Sequence, residues 1–271
     1  MYQILEKRAL NTDVDWMVIK APLVAKNAQP GHFVILRVDE VGERIPLTIV
    51  EHTDSTITII YQKLGFSTMK LGELEIGDTI HDLVGPLGRP THIRDVSSII
   101  AVAGGVGAAP LYPQLRAYKA KGVNIELVLG ARDKSHLILL NEYRALCNEV
   151  HVCTDDGSFG TKGFVTVLLE RILQEKTFDH SIAIGPLIMM KNVVALNDSF
   201  ELATDVSLNP IMIDGTGMCG NCRVSIHGET YFACVDGPDF PADGINFDEL
   251  IVRQNYYHDQ EHVCSLGLKH K

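Results

Sequence analysis

Three of the six cysteines fall within residues 219–234, and an aspartate precedes them: Asp214, Cys219, Cys222 and Cys234 spell D-x4-C-x2-C-x11-C in IDGTGMCGNCRVSIHGETYFAC. Three thiolates and a carboxylate so closely spaced can hold a metal. The spacing is the C-x4-C-x2-C with a distant fourth ligand of plant-type [2Fe–2S] sites, its first ligand changed to Asp. A loop wrapped around a cluster aims backbone N–H groups at the sulfurs, and Gly215, Gly217 and Gly220 permit the positive φ and close approach this requires. Three other readings stand beside it, the plainest being three thiols that bind nothing. A structural zinc also takes such donors, although it more often pairs two CxxC units and only one is present. Asp214 before a glycine also serves as a turn residue. Cys147, Cys153 and Cys264 lie apart and read as ordinary thiols.

A second constellation is AVAGGVGAAP at residues 101–110, where an apolar run ends in glycines and a helix begins. Gly104, Gly105 and Gly107 would let a pyrophosphate approach the helix N-terminus, whose free N–H groups and dipole favour anions. Pro110 replaces the last glycine of a regular G-x-G-x-x-G, so a tight turn without ligand is the alternative. CTDDGSFG, at residues 153–160, ends another expected strand. Carboxylates there can accept both ribose hydroxyls of NAD(H) and would repel a 2′-phosphate, so Asp155 and Asp156 point to NAD(H) over NADP(H); a capped Asp-Gly turn is the plain reading. RIPLTIV and QKLGFST offer an arginine near hydroxyls, which can hold phosphate and as often means only a surface residue.

Three kinds of element must position these groups. Up to about residue 95, short alternating runs such as HFVILRV and TITIIYQ are separated by Gly, Pro and Asp, the pattern of an antiparallel sheet or small barrel. From residue 96 to 208 strands alternate with helices: SSIIAVAGG, VNIELVLG, EVHVCT and HSIAIG between AAPLYPQLRAYKAKG, DKSHLILLNEYRAL, GFVTVLLERILQ and PLIMMKNVVALN. That alternation implies a parallel sheet with right-handed crossovers, and Asp133 is the expected cap of the second helix. Beyond residue 208 the chain is rich in Gly and Cys and closes on one helix, FDELIVRQNYYHDQ. The expected class is therefore multi-domain: an antiparallel β-barrel at 1–95, an α/β nucleotide-binding domain at 96–208 and a small cluster domain at 209–271.

With 46% apolar residues in 271, the chain can fill several cores. Its net charge of −10 disfavours nucleic acid and anionic lipid as partners. The N-terminal MYQILEKRAL lacks the pattern of a secretion signal, and no apolar run approaches membrane-spanning length, so a cytoplasmic location is expected.

The order of the motifs resembles the ferredoxin–NADP reductase superfamily along almost the whole chain. Arg44, Pro46, Leu47 and Thr48 lie in a segment similar to its Arg-x-Tyr/Pro-x-Ser/Thr flavin motif. Gln62 precedes Gly65, Ser67 and Thr68, which resemble its Gly-x-x-Ser/Thr flavin-diphosphate motif. Residues 104–110 are similar to its nucleotide turn, and Gly185-Pro186 to its nicotinamide-side Cys-Gly-Pro, with Ile184 in place of Cys. The resemblance implies FAD, NAD(H) and cofactor chemistry without a side-chain acid or base. At residues 207–223 the chain looks most like the small-subunit family of electron-bifurcating, NADH-dependent reduced ferredoxin:NADP oxidoreductases, relatives of dihydroorotate dehydrogenase electron-transfer subunits. In that family an Asp at the place of Asp214 ligates the [2Fe–2S] cluster with three Cys. The implied partner is a larger flavin and iron–sulfur subunit that handles NADP(H) and ferredoxin. Electron delivery to dihydroorotate dehydrogenase, a hydrogenase or another reductase is a second expectation, and a non-catalytic redox relay or sensor a third.

Overall fold

The computed structural model describes residues 2–256; Cys264 and the end of the helix expected at 247–260 lie outside them. The alternating N-terminal runs become β1 (Tyr2–Ala9), β2 (Val14–Lys20), β3 (Phe33–Arg37), β4 (Ile45–His52), β5 (Thr56–Gln62), β6 (Thr79–Ile80) and β7 (Asp82–Leu87). They form one antiparallel sheet in the order β6-β1-β2-β5-β4-β3-β7. Its edge strands β6 and β7 are separated in sequence only by His81. The two edges must therefore lie side by side, and the sheet curls into a nearly closed barrel. Period-two alternation places Ile57, Ile59 and Tyr61 of β5 in the barrel core with Met17, Ile19, Val34 and Leu36.

A second sheet has the order β11-β10-β9-β8-β12-β13-β16, from β8 (Ser98–Gly104), β9 (Asn124–Ala131), β10 (Glu149–Thr154), β11 (Thr161–Lys162), β12 (His180–Ile184), β13 (Thr204–Ser207) and β16 (Asp239–Pro241). All its pairs are parallel except β13 with β16. β8 shows why such a strand reads as continuously apolar. Ile99, Ala101 and Ala103 face one core with α3 (Ala108–Ala120) and α4 (Leu140–Leu146). Ile100 and Val102 face the other, with α5 (Val165–Glu175) and α6 (Leu187–Ser199). After β8 the chain builds β9, β10 and β11 on one side, then crosses to β12 on the other. The crevice between the C-terminal ends of β8 and β12 is thus the topological switch point, where open α/β sheets bind ligands.

One expectation needs correction. Residues 133–146 are not one helix: Asp133 caps a 3-10 turn, Lys134–His136, and α4 begins only at Leu140. Ile138 and Leu139 between them are both buried, and Leu139 has φ +56°. A left-handed residue cannot sit inside a right-handed helix, so the helical run is interrupted there. The small C-terminal cluster domain packs against the nucleotide-binding sheet. Its hairpin β14 (Arg223–Ile226) and β15 (Glu229–Phe232) is followed by β16, which adds to the nucleotide-binding sheet. Cys222, Val224, Cys234, Phe240 and Phe247 share a continuous core with the α5 and α6 face of that sheet.

A half-buried ion cluster fastens the barrel-to-sheet linker. Arg94 donates to both oxygens of Asp205, at 2.8 and 2.7 Å, and His180 Nε2 lies 2.9 Å from the same carboxylate. Burial opposes the charge on Asp205, but His180 and Arg94 outweigh it and bring the carboxyl down to about 2. A depressed carboxylate stabilises the fold above its unfolded pKa, and that contribution is lost as pH falls through the folded one. The melting temperature should therefore drop between about pH 4 and pH 2, through a loss of about 2 kcal/mol at this site. Asp205→Asn, measured by calorimetry across this range, should flatten the slope; an unchanged slope would assign the acid sensitivity elsewhere.

Candidate functional site

Strand β4 changes partners halfway along its length. Its second half pairs with β5 from Ile49↔Ile59 to His52↔Ile57, and its first half, from Ile45 to Thr48, pairs only with β3. Beyond Ile59, β5 in turn pairs only with β2. The two strands separate there, and Pro46, Leu47 and Thr48 face Ile60, Tyr61 and Gln62 across the wall of a cavity of about 630 Å3. Pro46 is tolerated because the strand has no second neighbour at that point. The volume lies within the ~300–1,000 Å3 range of cofactor pockets.

The opposite wall is the switch point: Gly104, Gly105, Gly107 and Pro110 after β8, with Ile184, Gly185 and Pro186 after β12. Gly107 has helical φ, but a Cβ there would overlap the Ile184 carbonyl. Gly105 has φ +56° and nothing within 4 Å of where a Cβ would stand, so its backbone is open to an approaching ligand. A third wall comes from Ser207, Leu208, Asn209, Pro210, Met212 and Pro238, the approach to the cysteine loop, and Gln254 of α8 (Phe247–Gln254) also reaches the cavity. Nine of the expected nucleotide and flavin residues therefore meet in one cavity: Pro46, Leu47, Thr48, Gln62, Gly104, Gly105, Gly107, Gly185 and Pro186.

The remaining six stand outside its lining. Arg44 is exposed at the start of β4 and makes no ion pair among the described residues. Gly65 precedes α2 (Phe66–Glu73), with open space at its Cα. Thr68 Oγ1 accepts from the Leu64 and Gly65 amides, both at 3.1 Å, and the buried Ser67 hydroxyl donates to Glu43 at 2.9 Å. These hydroxyls currently cap the helix and hold a carboxylate. Asp155 and Asp156 are exposed in the loop after β10. Asp156 folds that loop, accepting from the Ser158 amide and hydroxyl, and the amide hydrogen bond leads in holding its carboxyl below the usual range. Sequence reading missed Tyr61, Arg132, His136, Asn209 and Gln254 on the cavity wall. Arg132 and His136 follow the C-terminal end of β9, the same sheet edge as the glycine turn, and that placement was the available signal.

The cysteine loop lies against the barrel. Gly215, Gly217 and Gly220 all have positive φ, and a Cβ on Gly215 would come within 2.6 Å of Ile35 and 2.7 Å of Leu87. Cys222 and Cys234 are buried together, the Cys234 amide donating to the Cys222 sulfur at 3.4 Å, and Cys219 is exposed. The β14–β15 hairpin brings the ends of the x11 spacer together. Arg89, just past the barrel, donates to the Val235 carbonyl beside Cys234. Asp214 accepts from three amides: Thr216 on one oxygen at 3.0 Å, and Met218 and Cys219 on the other at 3.1 and 2.9 Å. It therefore shapes the loop, and the first oxygen, with one donor, retains acceptor capacity for a metal.

Among the described residues no three of these four donors lie within 4.8 Å of one another; the one such triad is Glu126, Glu149 and His151, already bridged by Lys176. Three thiolates and a carboxylate oxygen with spare acceptor capacity are a donor set that an iron–sulfur cluster can take.

Comparison with known proteins agrees with this geometry. Residues 209–246 match the family described as the iron–sulfur cluster binding domain of dihydroorotate dehydrogenase B, and residues 101–195 the oxidoreductase NAD-binding domain. The electron transfer subunit homolog of dihydroorotate dehydrogenase B (NAD(+)) from Thermotoga maritima is 44% identical over 263 residues, 96% of this chain and 93% of that protein. The chain belongs to the family of dihydroorotate dehydrogenase B electron-transfer subunits and their homologues. A probable electron transfer subunit of the same enzyme from Methanocaldococcus jannaschii is 36% identical over 81% of both chains. In a solved structure of the NADH-dependent reduced ferredoxin-NADP oxidoreductase, described in terms of flavin-based electron bifurcation, one chain superposes with a TM-score of 0.93 at 42% identity. That match covers 99% of this chain and 98% of the other. This family member is an oxidoreductase subunit whose cofactors are FAD, NAD(H) and an iron–sulfur cluster. No helix among its described residues is long and apolar enough to cross a membrane.

Proposed function

We propose that the chain passes electrons between NAD(H), FAD and a [2Fe–2S] cluster, to or from a larger flavin and iron–sulfur subunit, within a cytoplasmic electron-bifurcating transhydrogenase that joins ferredoxin, NADP(H) and NAD(H). One observation carries the reading: a single cavity is walled by the parted barrel strands, the glycine turn and the approach to the cysteine loop. Flavin supplies the exchange between the two-electron nicotinamide and one-electron carriers. The protein's share is to hold these groups together and keep water away. Pro46, Leu47, Thr48 and Gln62 hold the flavin ring; Arg44 and the α2 N-terminus, with Gly65, Ser67 and Thr68, hold its diphosphate. Gly104, Gly105, Gly107, Gly185 and Pro186 admit the nicotinamide, and Asp155 and Asp156 face its distant ribose. Asp214, Cys219, Cys222 and Cys234 hold the cluster. These assignments divide the chain into flavin, nucleotide and cluster units at 1–95, 96–208 and 209–271.

A second reading, electron delivery to a dihydroorotate dehydrogenase, is favoured by the names of relatives such as that from Thermotoga maritima. Isolating the native complex and identifying the second subunit separates the two. A large flavin and iron–sulfur subunit supports the first; a dihydroorotate dehydrogenase overturns it.

NADH should reduce the bound flavin at lower concentration than NADPH, because carboxylates at the ribose accept its hydroxyls and repel a 2′-phosphate. Stopped-flow traces with NADPH equal or better would remove Asp155 and Asp156 from the ribose site. Arg44→Ala should weaken FAD retention by about 1.5–3 kcal/mol with iron content unchanged. Full flavin after extensive dialysis would leave Arg44 a surface residue.

A further inference from the structure

The buried face of α8 is Phe247, Leu250 and Arg253, three residues apart along one stripe. The first two are apolar, and the third puts a guanidinium where that spacing calls for another core residue. Arg253 is only 9% exposed, and among the described residues it makes no ion pair. Glu249, one turn back on the same helix, accepts from Ser225 instead. Arg253 Nη2 donates to the Asn221 carbonyl at 2.9 Å, and Asn221 stands between Cys219 and Cys222. Its neighbour Gln254 lines the cofactor cavity, so the last turn of α8 touches the cysteine loop and the cavity together.

Two other arginines hold this loop, and their charges are spent differently. Arg223 donates to the Gly220 carbonyl at 3.3 Å but is exposed, so water screens it. Arg89 donates to the Val235 carbonyl and pairs with Asp236. A helix C-terminus favours a cation, which is a reason to place an arginine at the end of α8 but not to bury it. A guanidinium taken out of water costs stability unless a negative group faces it. A [2Fe–2S] cluster on these ligands is such a group. Three thiolates, a carboxylate and two sulfides outweigh two ferric irons, and each electron accepted adds a further negative charge.

We propose that Arg253 is the counter-charge of the cluster: a positioning residue that holds the loop through the Asn221 carbonyl and raises the cluster's reduction potential. This rests on the assignment of Asp214, Cys219, Cys222 and Cys234 as its ligands. The step favoured is the gain of one electron, which makes one ferric iron ferrous, breaks no bond and moves no proton. A positive charge fixed against the residue before Cys222 stabilises the reduced form more than the oxidised one, because the reduced form carries more negative charge.

The test is an EPR-monitored titration of the anaerobic holoprotein with dithionite as reductant. Wild type, Arg253→Gln and Arg253→Lys are compared, each assayed for iron, sulfide and FAD. Arg253→Gln keeps a donor for the Asn221 carbonyl and loses the charge. At a fixed potential its ratio of reduced to oxidised cluster should fall about 10-fold, which for a one-electron couple is a potential lower by about 59 mV. Arg253→Lys keeps the charge and should stay close to the wild-type potential, with FAD content the same in all three. An unchanged potential in iron-replete Arg253→Gln would overturn the counter-charge. So would an equal shift in the Lys and Gln variants, which marks the shape of the guanidinium and not its charge. If Arg253→Gln retains no iron, Arg253→Lys decides: iron held near the wild-type potential upholds the proposal, and loss of iron there overturns it. A wild-type protein without iron and sulfide would remove the ligand assignment itself, and the proposal with it.

Discussion

Asp214→Ala should yield a chain that keeps its flavin and loses iron, with retention after gel filtration down at least about 10-fold. Even the outer partners of a metal's ligands cost 10- to 100-fold in affinity when removed, so a ligand should cost no less. Asp214→Cys should instead assemble a cluster, because it restores four thiolates at the plant-type spacing, with a shifted EPR signal and reduction potential. The comparison is informative because the Asp214 carboxylate already accepts the Thr216, Met218 and Cys219 amides. A residue that only folded the loop would leave the cluster's electronic signature intact when exchanged. Unchanged EPR and potential in Asp214→Cys would make it a turn residue and remove the main sequence distinction from four-cysteine relatives.

Gly107→Ala should damage the nucleotide-binding unit with a single methyl. The new Cβ would overlap the Ile184 carbonyl and come within 2.9 Å of Gly185, both backbone, so α3 must retreat from β12. Such overpacking costs about 1–3 kcal/mol, which lowers the melting temperature by about 3–10 °C in a chain of this size. NADH affinity should fall as well, since the displaced turn walls the cavity. Gly105→Ala is the contrast. It meets no atom within 4 Å but forces a side chain onto φ +56°, a strain of about 1–2 kcal/mol without displacement of α3. If Gly107→Ala melts with the wild type and binds NADH as well, the close approach of β12 and α3 is not needed.

Much of this was legible in the sequence because the informative residues carry local rules. The glycines of the cysteine loop announced positive φ, and all three have it. The apolar run of β8 announced burial on both faces, and its alternate residues divide between two cores. What sequence could not show depends on long-range pairing. That β4 joins β5 only from Ile49 onward, leaving the cavity wall open before it, is a property of sheet register with no signal in residues 45–48 themselves. Leu137–Ile138–Leu139 reads as helix by composition, but Leu139 takes a left-handed φ of +56° that interrupts it.

The central claim is that NADH, flavin and cluster communicate inside this one chain. It is tested most directly by EPR on the anaerobically purified protein frozen after addition of NADH. The cavity shared by barrel, glycine turn and cluster approach predicts a bleached flavin together with the signal of a reduced [2Fe–2S] cluster. Protein that contains zinc without iron, or whose oxidised cluster stays EPR-silent while NADH bleaches the flavin, would contradict it.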